Sequence, residues 1–182
     1  MANKPLKKQS VPSCTLLILG AGGLGIAVAE IARCTGAYTR ICFLDDTTKS
    51  VAGFEVLGHC ELLPQLCGKF THAIAAFGNN ALRRDYTQKI KSLGFDLPTV
   101  IHPSAVISPS AHLAAGCIVR ENVAVSHTVN IEEGCLLNMG CLIDHNCSVG
   151  AYSHIPMGVI LRNAVSVAPG SAFKPGEVIE VC

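Results

Sequence analysis

Residues 135–155 read CLLNMGCLIDHNCSVGAYSHI, and a large aliphatic residue recurs at every sixth position of this stretch. The same period extends in both directions without insertion, and its members, all large and apolar, are Ile101, Ile107, Leu113, Val119, Val125, Ile131, Leu137, Ile143, Val149, Ile155, Leu161, Val167, Phe173 and Ile179. A six-residue repeat is typical of a parallel β-helix, in which three hexads form one roughly triangular coil. We therefore predict a β-helix over residues 99–182, a little over four coils long.

The other hexad positions agree with this fold. The residue four places after each aliphatic is usually small or compact, as in Cys135, Cys141 and Cys147, which predicts a second inward position with little room. The residue just before that position is Gly or Asn in most hexads, for example Gly140 and Asn146. Both residue types tolerate the positive φ that a tight corner demands.

The first part of the chain follows a different pattern. In order, it predicts a strand at 14–19, a helix at 26–33, a strand at 41–44, a strand at 72–77 and a helix at 81–93. Short apolar runs that alternate with helical periodicity predict a small parallel sheet with right-handed crossovers. The predicted fold is thus a Rossmann-like α/β domain over residues 1–98, connected to the β-helix through residues 96–98.

A glycine-rich loop, GAGGLG at residues 20–25, separates the first strand from the first helix. Gly20, Gly22 and Gly25 satisfy the dinucleotide pattern G-x-G-x-x-G, and Asp45 follows 20 positions later. The loop can hold the pyrophosphate of NAD, or it can be a tight turn with no ligand. A sheet of three or four strands is one mononucleotide-binding half, which suits a single nucleotide such as the uridine diphosphate of an activated sugar.

Composition excludes several classes of function. The net charge is +1, which gives no reason to propose nucleic acid or a membrane surface as a partner. We expect no membrane span, and the start of the chain, with Lys7 and Lys8, has no apolar core typical of a secretory signal. The ten cysteines include no C-x-x-C pair, so we predict reduced thiols in the cytoplasm and no thiolate zinc site.

The chain as a whole resembles the bacterial sugar acetyltransferases of the sialic acid O-acetyltransferase and UDP-amino-sugar N-acetyltransferase (bacillosamine) type. The residues that carry the resemblance are the glycine loop, Phe43–Asp46, Phe77–Asn80 with Arg83, Ile101–Ala105, and Asn138–His145 continuing to Ile155. The resemblance implies a left-handed, trimeric β-helix with acetyl-CoA as co-substrate between neighbouring solenoids and no metal. It also implies a nucleotide-sugar acceptor on the N-terminal domain.

The same resemblance implies roles for individual residues. His145 matches the general base that deprotonates the attacking amine or hydroxyl, and Asp144 beside it can orient or polarise the site. The positions implied to contact the acceptor are Gly20, Gly22, Gly23, Leu24, Asp45, Asp46, Asn79 and Asn138. Those implied to contact acetyl-CoA are His154 and Gly158.

Three departures from the family pattern keep other functions open. Asn146 stands where a carboxylate often follows the histidine, and Leu24 stands where the glycine loop often carries histidine. The chain stops at Cys182, where relatives are expected to continue for further coils that help to bind coenzyme A. A degenerate scaffold that binds a sugar nucleotide without catalysis is therefore an alternative.

Column arithmetic suggests a second alternative. His127 and His145 are 18 residues apart and should stack on successive coils, roughly 5 Å apart like paired strands. Stacked histidines on a trimeric β-helix also form the zinc site of γ-carbonic-anhydrase-type hydratases. Such a site needs a third histidine, and His154 is predicted to lie on another face.

Overall fold

The computed structural model describes residues 14–51 and 53–181. The predictions about the start of the chain and about Cys182 concern residues outside these ranges. The described residues form an α/β unit followed by a solenoid of short parallel strands, so the predicted fold class is confirmed. No helix in the described part of the chain is long and apolar enough to cross a membrane.

The N-terminal unit is a four-stranded parallel sheet with strand order β3-β2-β1-β4. Its elements are β1 (Thr15–Leu19), α1 (Gly23–Thr35), β2 (Arg40–Leu44), β3 (Glu55–Val56), a 3₁₀ helix (Cys60–Leu66), β4 (His72–Ala75) and α2 (Asn80–Ser92). The central strand β1 is apolar on both faces because it is covered on both. Helix α1 begins three residues earlier than its periodicity predicts, since the glycine loop supplies its first turn.

Helix α1 fastens this sheet to the solenoid. Its apolar residues Val28 and Ile31 share one buried cluster with Ile18 of β1 and with Ile118 and Leu136 of the solenoid. The buried side chains in this cluster belong to both parts of the chain. The two parts are therefore joined by a common apolar core as well as by the chain itself.

The connecting segment is also fixed in place. The carbonyl oxygen of Asp96 accepts a hydrogen bond from the N–H of Ala73, at 3.1 Å, which extends the edge of β4. The hydroxyl of Thr99 donates to the carbonyl of Ala114, at 2.9 Å. Residues 96–98 thus form a packed connection.

The solenoid consists of two-residue strands separated by corners. They are β5 (Val100–Ile101), β6 (Val106–Ile107), β7 (His112–Leu113), β8 (Ile118–Val119), β9 (Ala124–Val125), β10 (Asn130–Ile131), β11 (Leu136–Leu137), β12 (Leu142–Ile143), β13 (Ser148–Val149), β14 (His154–Ile155), β15 (Ile160–Leu161), β16 (Ser166–Val167) and β17 (Val178–Ile179). Each strand pairs with the one 18 residues away, as in Leu136 with His154. Three hexads per coil is therefore confirmed.

The corners explain the Gly and Asn of the repeat. All eight of these residues at the fourth hexad position have positive φ; they are Gly116, Asn122, Gly134, Gly140, Asn146, Gly158, Gly170 and Gly176. Thr128, Tyr152 and Ala164 occupy the same position and are also held at positive φ, between 55° and 59°. A residue other than Gly or Asn is costly there, and a β-branched residue such as Thr128 is the most unusual.

The first and fifth hexad positions fill the interior, as predicted. The aliphatics stack along the axis, and Cys117, Cys135, Cys141 and Cys147 occupy the narrower positions as small apolar side chains. All nine cysteines in the described ranges are unpaired.

The sixth position points outward and differs on the three sheets. Val100, Ile118 and Leu136 lie on the sheet that α1 covers. The second sheet carries polar residues there, namely His112, Asn130, Ser148 and Ser166. The third carries Val106, Ala124, Leu142, Ile160 and Val178. We call this third surface the apolar face; Val106 and Val178 on it are 69% and 52% exposed.

Candidate active site

The glycine loop divides into two residues that the fold requires and two that it does not. A Cβ on Gly25 would lie 1.9 Å from the carbonyl oxygen of Gly20, and Gly20 itself has a φ of +98°. At Gly22 and Gly23, no atom of the described residues lies within 4 Å of an added Cβ. These two glycines therefore border open space at the start of α1.

The N-terminus of α1 is suited to an anion. Gly22 stands at the N-cap and supplies no side-chain cap, and no acidic residue lies in the first turn. The backbone N–H groups of that turn and the helix dipole favour negative charge, such as a phosphate. Leu24, predicted to contact the acceptor, packs against the core cluster around α1.

Asp45 organises the loop from the end of β2. Its Oδ2 accepts the N–H of Ala21 at 2.7 Å, and its Oδ1 accepts the N–H groups of Thr47 and Thr48 at 2.9 and 2.6 Å. Burial raises the pKa of Asp45, but hydrogen bonds from the amides of Ala21, Thr48 and Thr47 outweigh it and hold the pKa well below its ordinary value. Asp45 is thus an ionised clamp on the strand-to-helix turn.

Asp46 and Asn79, two other residues predicted to contact the acceptor substrate, form local hydrogen bonds. Asp46 accepts the N–H of Cys60, at 2.8 Å, through Oδ1. Asn79 is the N-cap of α2, and its Oδ1 accepts the N–H of Leu82 at 2.9 Å. Because Gly20, Asp45 and Asn79 follow the carboxyl ends of neighbouring parallel strands, the structure gathers them at one edge of the sheet.

Arg83 connects this edge to the solenoid and is completely buried. Its guanidinium donates to the carbonyls of Gly134 (2.9 Å), Phe77 (2.8 Å) and Tyr152 (2.8 Å) and to Oδ1 of Asn80 (2.8 Å). Burial lowers its pKa to about 10. The planar fork of arginine suits acceptors on both sides of the interface. In the sequence, Arg83 belongs to the motif that begins at Phe77, and the motif alone indicates no role for its side chain.

His145 lies at the corner between the apolar face and the polar sheet, just after β12. Its backbone N–H donates to Oδ1 of Asp144 at 2.7 Å, and its Nδ1 lies 3.2 Å from Nδ2 of Asn146. The ring of His127 stacks on it from the coil before. Asp144 and His127 also line a groove of about 600 Å³ along the apolar face, whose walls are mainly Val106, Ala124, Leu142 and Ile160.

Asn138 and His154 form a second cluster. Asn138 donates through Nδ2 to Nε2 of His154 at 3.3 Å and accepts from Arg120 through Oδ1 at 3.3 Å. Burial lowers the pKa of His154 below its ordinary value, and the charge of Arg83 adds to this effect. Because Nδ2 of Asn138 can only donate, Nε2 of His154 accepts, and the neutral ring carries its proton on Nδ1.

The two histidine clusters do not meet within one chain. Asn138 precedes β12 and His145 follows it, so they lie at opposite edges of the apolar face. Gly158 occupies a corner at the Asn138 edge, where its N–H donates to the carbonyl of Met139 at 3.1 Å. His154 and Gly158, both predicted to contact acetyl-CoA, are thus separated from His145 by the width of this sheet.

No group of three His, Cys, Asp or Glu side chains in the described ranges is arranged to hold a metal ion. His127 and His145 form a pair, and His154 lies on a different sheet. The donor set required for a γ-carbonic-anhydrase-type site is therefore not assembled within these residues of one chain.

Comparison with known proteins identifies the family. The PglD N-terminal domain family model matches residues 15–90. A solved structure, the acetyltransferase domain of PglB from Neisseria gonorrhoeae FA1090, is 36% identical, with a TM-score of 0.83 over 92% of this chain and 91% of that one. This chain belongs to the hexapeptide-repeat sugar acetyltransferases. The predicted family is therefore confirmed.

Other members of this acetyltransferase family have been solved with ligands. The PglB domain is also known in complex with acetyl coenzyme A, and this chain covers 92% of that structure. PerB from Caulobacter crescentus, in complex with CoA and GDP-perosamine, is 29% identical with a TM-score of 0.77, over 91% of this chain and 88% of that one. Further structures of that enzyme carry a histidine replaced by asparagine or by alanine.

A curated relative is the UDP-N-acetylbacillosamine N-acetyltransferase of Bacillus subtilis (strain 168). It is 27% identical over 106 residues, which are 56% of this chain. The match spans 49% of the relative's own length.

Proposed function

We propose that this acetyltransferase-family protein moves an acetyl group from acetyl-CoA to an amine or hydroxyl of a nucleotide-activated sugar, with His145 as the general base. Residues 14–98 would hold the acceptor, and the solenoid would supply the base and the donor groove. One observation carries the proposal: a helix start without a side-chain cap and with open space before it occurs in the same chain as His145, whose ring stacks on His127 at the wall of an apolar groove.

The chemistry needs one proton acceptor. The lone pair of the acceptor nitrogen or oxygen attacks the thioester carbonyl, and Nε2 of His145 takes the proton that the nucleophile loses. The C–S bond then breaks, the electron pair stays on sulfur, and His145 returns the proton to the departing thiolate. The products are the acetylated sugar and free coenzyme A, so protons and electrons balance with no further reactant.

The acceptor site is supported by the sheet edge. The open space at Gly22 and Gly23 and the uncapped N–H groups of α1 suit a diphosphate. Asp45 holds the loop but uses both carboxylate oxygens on backbone groups, so we assign it to shaping the site. GDP-perosamine in the PerB structure and the name of the Bacillus relative support a nucleotide-sugar acceptor.

We also propose that the protein is a homotrimer with cyclic symmetry. The apolar face leaves a column of five aliphatic and alanine side chains uncovered in one chain, and burying it against a neighbour would remove them from water. Such contact would bring groups at the two edges of this face, Asn138 and His145, into clefts between subunits. The free cysteines support a reducing compartment, and we assign the protein to the cytoplasm.

Two measurements test the proposal. A thermal-shift panel of UDP-, GDP- and CMP-sugars, acetyl-CoA, NAD and zinc should show stabilisation by acetyl-CoA and by one class of sugar nucleotide. Mass spectrometry of the stabilising amino-sugar nucleotide, incubated with acetyl-CoA and enzyme, should show gain of one acetyl group. Stabilisation by NAD alone, or by zinc alone, would contradict the proposal. Binding of both substrates without transfer would favour the non-catalytic scaffold.

A further inference from the structure

A chain of hydrogen bonds joins the two stacked histidines. Nδ1 of His145 lies 3.2 Å from Nδ2 of Asn146, and Oδ1 of Asn146 accepts from the hydroxyl of Thr128 at 2.8 Å. Oγ1 of Thr128 in turn lies 2.9 Å from Nδ1 of His127. This series of hydrogen bonds therefore runs from His145 through the amide of Asn146 and the hydroxyl of Thr128 to His127, one coil away.

Thr128 occupies a position that a β-branched residue avoids. It has a φ of +55°, in the left-handed region, at a corner that most hexads fill with Gly or Asn. Backbone strain of this kind persists where the surrounding structure fixes it, and it concentrates at functional sites. The hydroxyl of Thr128 is the group that bridges Asn146 and His127, which gives the strained residue a purpose that Gly could not serve.

The donor-to-acceptor direction of these hydrogen bonds determines which ring nitrogen of His145 is free to take a proton. With Nδ2 of Asn146 facing the ring, Nδ1 of His145 accepts a hydrogen bond from the amide, so the neutral imidazole carries its hydrogen on Nε2 and cannot act as a base there. Rotating the amide by 180° exchanges its oxygen and nitrogen within the same volume. Oδ1 then accepts from Nδ1–H of His145, and Nε2 is free to take a proton.

The same rotation reverses the donor and acceptor in each of the remaining hydrogen bonds of the series. Nδ2 of Asn146 donates to Oγ1 of Thr128, whose hydroxyl then donates to Nδ1 of His127. In this direction all donors and acceptors remain matched, and Oδ1 of Asn146 also stabilises the imidazolium that His145 becomes after it takes a proton. The reversed direction therefore suits both states of a general base.

We propose that Asn146 and Thr128 are positioning residues that set the tautomer of His145, with His127 as the terminal group of the relay. In the working state, His145 carries its proton on Nδ1 and His127 carries its proton on Nε2. This rests on the proposed function of His145 for its kinetic consequence, but the tautomers themselves can be measured without turnover. Asp144, which precedes His145, and Arg162, one coil further along, are the other charged groups lining the groove beside the relay.

Nitrogen-15 spectra of the histidine side chains test the tautomers directly. The protein is labelled with ¹⁵N-histidine and measured at about pH 8.5, above the ordinary histidine pKa of about 6.5. His145→Gln and His127→Gln assign the two rings by loss of their signals. We expect the Nδ1–H tautomer for His145 and the Nε2–H tautomer for His127. The opposite pair of tautomers would overturn the proposal.

Variants test the effect on turnover. Asn146→Gly and Thr128→Gly keep the positive φ of each corner and remove the relay. Each should lower kcat roughly 10- to 100-fold, a part of what a general base contributes, with the acceptor KM unchanged. The ionised carboxylate of Asn146→Asp can only accept a hydrogen bond from Nδ1–H of His145, so this variant should keep turnover within about threefold of wild type.

Ala164→Gly is the matched control, since Ala164 has the same backbone conformation one coil beyond Asn146, with a φ of +59°. We expect its unfolding midpoint in urea to equal or exceed that of wild type, with kcat unchanged. Thr128→Gly should show the same midpoint behaviour but lose kcat, which a merely structural role would not produce. Full turnover in Asn146→Gly would overturn the relay even if wild type is an active acetyltransferase. Absence of transfer by wild type would instead contradict the proposed function.

Discussion

The imidazole rings of His127 and His145 lie parallel, with an interplanar angle of 1° and their centroids 5.1 Å apart. They stack because the two residues occupy the same hexad position on successive coils, as the spacing of 18 residues predicts. Although the rings are equivalent in the repeat, their surroundings differ. His145 is partly buried beside Asp144 and Asn146, whereas His127 is exposed.

This difference predicts unequal effects of mutation. His145→Ala should lower kcat by about 10²–10⁴-fold, the usual span for a lost general base, while the acceptor KM changes little. His127→Ala should have a smaller effect, because its ring acts on His145 only through stacking and the hydrogen-bonded chain. Steady-state kinetics of both variants, with acetyl-CoA saturating, give the comparison.

A chelator distinguishes a general-base role of His145 from a metal site of the hydratase type. Activity that depends equally on both histidines and is abolished by EDTA would favour a metal site built across subunits. Activity that resists EDTA, with the larger loss in His145→Ala, would support the general base. Near-wild-type turnover in His145→Ala would remove this residue from the mechanism.

The glycine loop offers a prediction with an internal control. Gly22→Val adds a side chain where no described atom lies within 4 Å, at a residue with a φ of −75° that valine can adopt. The fold should therefore tolerate it, while the side chain blocks approach of a phosphate to α1. We expect the acceptor KM to rise at least about tenfold with little change in the melting temperature.

Gly25→Ala is the contrasting variant. Its Cβ would lie 1.9 Å from the carbonyl of Gly20, so the strand-to-helix turn would have to move. We expect this variant to lose stability, measured by urea unfolding. If Gly22→Val binds the sugar nucleotide as well as wild type does, the acceptor lies elsewhere on the N-terminal unit.

The solenoid could be predicted in detail because each hexad repeats the same physical constraints. The interior aliphatics, the small residues beside them and the positive-φ corners such as Gly140 all follow from position in the repeat. The outward sixth position carries a further signal in the sequence. Its apolar column at Val106, Leu142 and Val178 distinguishes one sheet from the polar one.

The site could not be predicted to the same depth, because roles in it depend on contacts between distant segments. The sequence predicts that Asp45 contacts the acceptor, and only the structure shows that its carboxylate also accepts the N–H groups of Ala21, Thr47 and Thr48. Thr128 has no distinctive sequence context, and only its φ and its bond to Asn146 draw attention to it. The predicted contacts with acceptor and donor stay predictions.

The ionised clamp at Asp45 predicts a pH dependence of stability. Because its pKa in the folded protein is lowered below the ordinary value of about 3.9, its contribution is present above that pH and is lost as the pH falls through the folded pKa. Asp45→Asn should therefore be less stable than wild type at pH 7, and the difference should shrink below about pH 3.9. Urea unfolding at pH 7 and at acidic pH measures this, and a difference independent of pH would contradict the clamp.

Buried Arg83 predicts a loss of stability at the junction of sheet and solenoid. Arg83→Met would leave the carbonyls of Gly134, Phe77 and Tyr152 without their donor, so we expect the free energy of unfolding to fall by at least about 3 kcal/mol. Arg84→Met, on the same helix but exposed, is the control and should change stability by less than about 0.5 kcal/mol. Equal effects of the two substitutions would show that the buried hydrogen bonds contribute little.

The apolar face predicts the assembly. Leu142 lies in the middle of its column and is 42% exposed in a single chain, so Leu142→Asp would place a charge at the centre of the proposed subunit contact. We expect light scattering to give about three times the mass of one chain for wild type and a smaller mass for the variant. Asn130→Asp, an equivalent outward position on the polar sheet, should leave the mass unchanged. Loss of this subunit contact should also affect activity. Because His145 and Asn138 lie at opposite edges of the apolar face, dissociation should abolish acetyl transfer while sugar-nucleotide binding to the N-terminal unit remains. A monomeric wild-type protein with full activity would contradict both the trimer and the interfacial site.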